Sequence, residues 1–138
     1  VIGVMTILPE ETGKYGVVEA GTLSGGFAPI ERIVEKPKPG TTTSRLGVVG
    51  RYVLSPRIFH HLRTMPPGAG GEIQLTDGIA RLVDEEKVLA YAFDGRRYDC
   101  GNKLGYLEAM VDFGLKHPET GAGLARYLLQ RGLTGAKP

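Results

Sequence analysis

Short apolar runs, separated by glycine, proline and charged residues, dominate the hydrophobic pattern of the chain. Short runs rich in β-branched and aromatic residues are typical of buried β-strands. The third run ends at Pro37, because proline has no amide proton to donate to a central sheet ladder. The pattern predicts five strands, at 1–9, 15–19, 30–36, 46–54 and 88–93.

Four other segments place apolar residues at the spacing of an amphipathic helix. Ser55 is expected to cap the first of these helices, with Pro56 at its first position and Phe59 on its apolar face. Thr76 or Asp77 is expected to cap the second helix. The predicted helices cover 56–65, 73–86, 103–116 and 124–131.

The order of these elements indicates the class of fold. The first three predicted strands follow one another without a helix between them, whereas strands and helices intermix later in the chain. We therefore expect an α/β fold with a mixed sheet and covering helices. The length favours one domain, 1–138, in which 118–138 form a terminal helix and a frayed tail. Val1 is not an initiator methionine, and its surroundings are typical of the interior of a strand, so a longer parent chain is expected.

Charge and composition exclude several classes of partner. The balance of 17 basic and 15 acidic side chains leaves +2, too little to predict nucleic-acid or anionic-membrane binding. No apolar run approaches the ~20 residues of a membrane helix, and the amino end lacks a signal-peptide pattern. Cys100 is the single cysteine and cannot form an internal disulfide, which favours a reducing compartment, the cytoplasm.

Glu35 and Lys36 form a charged pair at the end of the third predicted strand. Adjacent residues of a strand point to opposite faces. Beside a cleft, the carboxylate could accept hydrogen bonds from sugar hydroxyls while the ammonium reaches a phosphate. On an open surface the pair would be an ordinary solvated strand end, which is the commoner situation for charged residues. These residues alone leave both interpretations open.

Two further positions carry candidate chemistry. Gly16 follows Tyr15 within a predicted strand, where a glycine marks either the close approach of a ligand or a bulge. Asp99 precedes a predicted helix and is either a helix cap or a ligand of Mg²⁺, which proteins hold with one or two carboxylates plus substrate phosphates. The neighbouring Cys100 has no nearby histidine in the sequence to activate it, so a packing role is expected.

Five segments carry a family resemblance: 15–18, 33–38, 48–54, 66–77 and 99–106. Together, and in this order, they resemble the bacterial UTP–glucose-1-phosphate uridylyltransferases over nearly the whole chain up to the last helix. The Val-Glu-Lys-Pro motif in the second segment is shared by many sugar-nucleotide pyrophosphorylases. The Glu-Ile-Gln-Leu-Thr-Asp and Asp-Cys-Gly-Asn-Lys motifs in the last two are more specific to the glucose-uridylyl branch.

The resemblance implies a Rossmann-like nucleotidyltransferase fold, of which this chain would be the sugar-binding, carboxyl-terminal half. It implies that Glu35 binds sugar hydroxyls and that Lys36 contacts the sugar phosphate and is catalytic. Gly16 would lie against the sugar through its backbone, and Gly50 would leave room at the sugar pocket. By analogy with related thymidylyltransferases, Asp99 would help to hold Mg²⁺.

The implied reaction is Mg²⁺-assisted, in-line transfer of a uridylyl group from UTP to glucose 1-phosphate, which yields UDP-glucose and pyrophosphate. The family's glycine-rich triphosphate loop, its uracil-reading residues and its first metal aspartate do not occur in these 138 residues, so the chain alone is expected to be inactive. Relatives of this kind usually self-associate, which implies a homo-oligomer. Two alternatives stay open: a related transferase that uses another nucleotide, such as dTTP, and a non-catalytic sugar-phosphate-binding module.

Overall fold

The computed structural model describes residues 1–38 and 40–132, which form two compact units, Val1–Gly95 and a second unit that begins at Arg96. Each predicted strand and helix has a counterpart there. Two short 3-10 helices, Pro9–Lys14 and Ala69–Gly71, were not predicted. The elements are β1 (Ile2–Thr6), β2 (Gly16–Ala20), β3 (Phe27–Glu35), β4 (Leu46–Tyr52), α1 (Arg57–Thr64), α2 (Leu75–Glu85), β5 (Leu89–Ala92), α3 (Lys103–Lys116) and α4 (Gly121–Gln130).

The five strands of the first unit form a closed barrel in the order β1-β4-β2-β3-β5, and β5 returns to β1. β1 and β5 run parallel, whereas the other pairs within this order are antiparallel. The predicted mixed sheet is therefore confirmed. Its closure was not predicted, and it depends on β5, which pairs with β1 on one side and β3 on the other.

The core lies between the barrel and the helices α1 and α2. Ile79 and Leu82 of α2 are fully buried and belong to one cluster with Ile33 of β3 and Ile58 of α1. A Cβ on Gly78 would lie 2.9 Å from Leu62 Cδ2, so this glycine allows the two helices to approach closely. The apolar face of α2 therefore holds the helix against β3 and brings its first turn to that strand.

Several predicted boundaries and caps were wrong. β1 ends at Thr6 instead of position 9, and β3 begins at Phe27 instead of position 30, because its first residues pair with β5. The cap residues of α1 and α2 are Pro56 and Gln74, neither of which makes a side-chain cap hydrogen bond. Phe59 is 60% exposed, so it does not contribute to the buried face of α1.

The second unit is a pair of packed helices with a capped start. Asn102 caps α3, and its side-chain oxygen accepts a hydrogen bond from Gly105 N at 2.7 Å. A Cβ on Gly114 would lie 2.8 Å from Leu124 Cδ2, so the absence of a side chain there lets α4 pack against α3. α4 begins at Gly121, three residues before its predicted start. The predicted tail beyond position 132 lies outside the described residues.

Candidate active site

The register of β2 and β3 places Gly16 directly opposite Glu35. Directly opposed residues of an antiparallel pair have side chains on the same face of the sheet. Because Gly16 has no side chain, the Glu35 carboxylate lies over it: Oε2 is 3.2 Å from the point that a Cβ on Gly16 would occupy. The predicted close approach at Gly16 is thus an approach of Glu35, and contact of Gly16 with a sugar stays a prediction.

Thr76, in the first turn of α2, holds the Glu35 carboxylate. Its Oγ1 donates a hydrogen bond to Glu35 Oε2 at 2.7 Å, and the residue is 8% exposed. The prediction that Thr76 caps α2 was wrong, since its hydroxyl is used by a strand 41 positions earlier in the chain. One signal could have revealed this role: Thr76 shares its helix face with the buried Ile79, three residues later.

Lys36 lies on the same side as Glu35, so the prediction that their side chains diverge was wrong. Lys36 Nζ is 3.7 Å from Glu35 Oε1, and the lysine side chain is 63% exposed. The reason is the Lys36 backbone, whose φ of 43° is the one positive value among the described residues other than glycine. A residue in this left-handed region leaves the alternation of a strand, and such strained residues cluster at functional sites.

Tyr52, at the end of β4, is a further member of this group that sequence reasoning missed. Burial raises the pKa of its phenol above the ordinary 10.0, and the negative charge of Glu35 raises it further. The second of these causes acts only on a phenol within the electrostatic reach of the Glu35 carboxylate. An aromatic residue at the exposed end of a β-branched strand was the available signal.

Gly50 lies in an irregular part of β4. Between the pairs Ile2–Tyr52 and Val4–Val48 the register shifts, and Gly50 has a φ of 79° within this bulge. Such a φ favours glycine whatever the surrounding space. Apart from Gly50 and its two chain neighbours, no atom of the described residues lies within 4 Å of the position of an added Cβ, so the site is also open. Its predicted place in the sugar pocket stays a prediction.

Asp99 belongs to the second unit and is exposed. Its Oδ1 accepts a hydrogen bond from Gly101 N at 3.0 Å, which forms a local turn before α3. Asn102 caps the helix, so the alternative in which Asp99 is the cap was wrong. No cluster of three or more potential metal-ligating side chains occurs in residues 1–38 and 40–132. Metal binding by Asp99 stays a prediction.

Comparison with known proteins identifies the family of this chain. Residues 2–114 match the model of the Nucleotidyl transferase family, and the chain belongs to that family.

Its relatives are more specific. A UTP–glucose-1-phosphate uridylyltransferase of Staphylococcus epidermidis is 44% identical over 130 residues, which are 94% of this chain and 45% of that protein. A UTP-bound UGPase from Acinetobacter baumannii is 40% identical, with a TM-score of 0.81 over 93% of this chain and 44% of that structure. A UDP-glucose pyrophosphorylase complexed with UDP-glucose is 39% identical, with a TM-score of 0.77 over 84% of this chain and 44% of that structure.

These matches bear on the sequence predictions. They confirm the resemblance and the nucleotidyltransferase fold. The chain spans about half the length of the relatives it matches.

Across the described residues, no helix combines the length and the apolar character that a membrane crossing requires.

Proposed function

We propose that this chain forms the hexose-phosphate side of a UTP–glucose-1-phosphate uridylyltransferase, which makes UDP-glucose and pyrophosphate. One observation carries the proposal: the Glu35 carboxylate is held over Gly16 by Thr76, with Lys36 Nζ 3.7 Å from its other oxygen. An isolated surface pair would have no need of a buried hydroxyl to restrain it. The names of the relatives support the same assignment.

Glu35 and Lys36 have the chemistry to recognise the two ends of a sugar phosphate. A carboxylate is an acceptor for the vicinal hydroxyls of a hexose, and Glu35 Oε1 lies 3.7 Å from the ammonium of the exposed Lys36 side chain. The ammonium is a compact charge on a flexible stem, suited to a phosphate. The attraction between the exposed Lys36 and Glu35 is weak in water, so Lys36 can turn to a phosphate at little energetic expense.

In the proposed reaction, a phosphate oxygen of glucose 1-phosphate attacks the α-phosphorus of UTP. A new P–O bond forms as the bond to pyrophosphate breaks, and that leaving group carries away the electron pair. Two anions must meet, so neutralisation and alignment account for most of the rate enhancement. Lys36 is assigned to the glucose 1-phosphate anion, and Glu35 holds the hexose in the orientation for attack. No covalent enzyme intermediate is required.

Asp99 is assigned to Mg²⁺. It is an exposed carboxylate whose Oδ1 accepts a hydrogen bond from Gly101 N, and carboxylate oxygens are ligands that Mg²⁺ prefers. A single carboxylate fits the way Mg²⁺ is bound, with substrate phosphates and water as the remaining ligands. When bound, the ion would neutralise phosphate charge. Asp99→Asn should raise the Mg²⁺ concentration needed for half-maximal activity, whereas Asp94→Asn, also an exposed aspartate, should not.

We also propose a cytoplasmic location and a homo-oligomer. The single cysteine, Cys100, is free and exposed, as suits a reducing compartment. In α3, Leu104, Leu107 and Phe113 are each more than half exposed, and apolar surface of this kind favours association. Light scattering that shows a monomer at micromolar concentration would contradict the oligomer.

Titration calorimetry with glucose 1-phosphate and with UDP-glucose tests the site, together with a transfer assay on the protein as its gene encodes it. Glu35→Gln should weaken binding of both sugar ligands. The matched control is Glu31→Gln, the same change at an exposed position of the same strand. Faster transfer from dTTP than from UTP would favour the alternative nucleotide, and binding without transfer would favour the non-catalytic module.

A further inference from the structure

The two oxygens of the Glu35 carboxylate have different surroundings. Oε2 accepts the Thr76 hydroxyl at 2.7 Å and lies toward the buried side, beside Gly16. Oε1 lies toward the exposed ammonium of Lys36, at 3.7 Å. The glutamate side chain is 25% exposed, so it has room to move unless a contact restrains it. The hydrogen bond from Thr76 provides that restraint.

Thr76 is suited to this task by where it is held. The residue is nearly buried, and its Oγ1 lies 3.5 Å from the Cβ point of Gly16. α2 is anchored by Ile79 and Leu82, which are fully buried. A donor on a well-packed helix is more precisely placed than one on a loop, and a hydrogen bond to a charged acceptor is stronger than one between neutral groups.

The Thr76 hydroxyl does not cap α2. The cap residue is Gln74, and Thr76 Oγ1 donates instead to the carboxylate of Glu35 on a different element. A purely structural threonine on this face would be expected to satisfy its hydroxyl within the helix, by a bond to its own backbone. Thr76 instead donates its hydroxyl hydrogen to a glutamate whose side chain is partly exposed.

We propose that Thr76 is a positioning residue that orients Glu35 for hexose recognition, and so contributes to selection of the sugar phosphate without touching it. By holding Oε2, Thr76 leaves Oε1 as the oxygen that meets the sugar hydroxyls. This inference rests on the proposed function, since it assumes that Glu35 binds the hexose. It predicts an effect on the affinity for the sugar substrate and none on the affinity for the nucleotide.

The test uses steady-state kinetics on the protein as its gene encodes it, with calorimetry of UDP-glucose binding. Thr76→Val keeps the shape and removes the hydroxyl, whereas Thr76→Ser keeps the hydroxyl. Loss of a hydrogen bond to a charged group should raise KM for glucose 1-phosphate about tenfold in Thr76→Val. In Thr76→Val, KM for UTP should stay within about twofold, because Glu35 is assigned to the sugar and not to the nucleotide. Thr76→Ser keeps the hydroxyl and its contact with Glu35, so both KM values should stay close to those of the parent.

A double-mutant cycle shows whether Thr76 acts through Glu35. If it does, the double variant Thr76→Val/Glu35→Gln should weaken sugar binding by much less than the product of the two single effects. Thermal melting of each variant separates this from loss of fold. If Thr76→Val unfolds the protein, Thr76→Ala, which adds no bulk, takes its place in the cycle.

Different results would contradict the role of Thr76 and the role of Glu35. If Glu35→Gln weakens sugar binding but neither Thr76→Val nor Thr76→Ala does, the positioning role is overturned and the proposed function stands. Equal losses for sugar and nucleotide, or no recovery in Thr76→Ser, would also overturn it by indicating a general structural role. If Glu35→Gln leaves sugar binding unchanged, the proposed function fails, and the role of Thr76 fails with it.

Discussion

Lys36 Nζ and Glu35 Oε1 are 3.7 Å apart although the two residues are neighbours at the end of a strand. In a regular strand their side chains would point to opposite faces. The φ of 43° at Lys36 turns its side chain back toward the carboxylate, while its amide still donates to Tyr15 O at 3.1 Å. A backbone that is unfavourable for lysine thus brings together an anion and a cation at the end of β3.

Two substitutions of Lys36 should separate the effect of its charge on catalysis from the effect of its positive φ on stability. Lys36→Ala and Lys36→Gly both remove the ammonium and should each lose roughly 2–4 kcal/mol of transition-state stabilisation, measured as kcat/KM. The free energy of unfolding should be about 1 kcal/mol higher for Lys36→Gly than for Lys36→Ala, because glycine adopts a positive φ without steric cost. Denaturant unfolding measures this difference. Lys87→Ala, at an exposed lysine, is the control for loss of charge. Unchanged kcat/KM in both variants would remove Lys36 from the mechanism.

The Tyr52 phenol reports the position of Glu35 without any substrate. Burial is the larger cause of its raised pKa and the Glu35 charge the smaller, so Glu35→Gln should lower that pKa toward 10.0 without restoring it fully. Ultraviolet absorbance titration, with Tyr52→Phe to identify its signal among the six tyrosines, measures the shift. Glu31→Gln should leave the titration unchanged. An unaltered Tyr52 pKa in Glu35→Gln would place the carboxylate elsewhere.

A methyl group at Gly16 should disturb the site more than the fold. In Gly16→Ala the new Cβ lies 3.2 Å from Glu35 Oε2, which must move by a few tenths of an ångström and so lose its alignment with Thr76. We expect UDP-glucose affinity to fall by roughly tenfold, the scale of one hydrogen bond to a charged group. Calorimetry measures that affinity, and denaturant unfolding measures the accompanying change in stability, which should be small.

Gly47→Ala is the reciprocal control, since its methyl would lie 2.7 Å from Ile7 Cγ2 in the packed barrel. It should cost about 1–3 kcal/mol in the free energy of unfolding through overpacking and leave UDP-glucose affinity unchanged. Should Gly16→Ala bind UDP-glucose normally while Gly47→Ala does not, the two glycines would have the opposite of the roles assigned to them.

The ion pair of Arg57 with Glu85 should make stability depend on acid pH. Arg57 Nε donates to Glu85 Oε2 at 2.8 Å and lowers the pKa of Glu85 below the ordinary 4.5, while His61 Nε2 faces the same oxygen at 3.3 Å. A lowered pKa in the folded state means that the stabilisation is complete above pH 4.5 and is lost as the pH falls through the lower, folded value.

Urea unfolding across this range tests the pair. The difference in free energy of unfolding between the parent and Glu85→Gln should be largest near neutral pH and should shrink as the pH falls below 4.5. Glu31→Gln removes an exposed carboxylate from β3, and its difference from the parent in free energy of unfolding should not shrink in this way as the pH falls. A constant difference at all pH values would show that Glu85 stabilises the fold by something other than its charge.

Local sequence rules predicted those features that depend on near neighbours. The apolar runs of β2 and β4 and the helical spacing in α2 indicated the elements that the structure contains, because periodicity reflects which face is buried. The family resemblance, carried by segments such as 33–38 and 99–106, identified the nucleotidyltransferase class and selected Glu35 and Lys36 as candidates. Boundaries were less accurate, as at Phe27, where pairing with β5 extends β3.

Tertiary structure decided which partner each polar group takes. The sequence allowed Thr76 either to cap its own helix or to bond elsewhere, and only the packing of α2 against β3 brought its hydroxyl 2.7 Å from Glu35. The divergence expected of Glu35 and Lys36 failed because the positive φ at Lys36 ends the regular strand. Closure of the barrel likewise required β5 to meet β1, more than eighty positions earlier in the chain. Such long-range contacts are set by the packing of whole elements, which no local pattern of residues specifies.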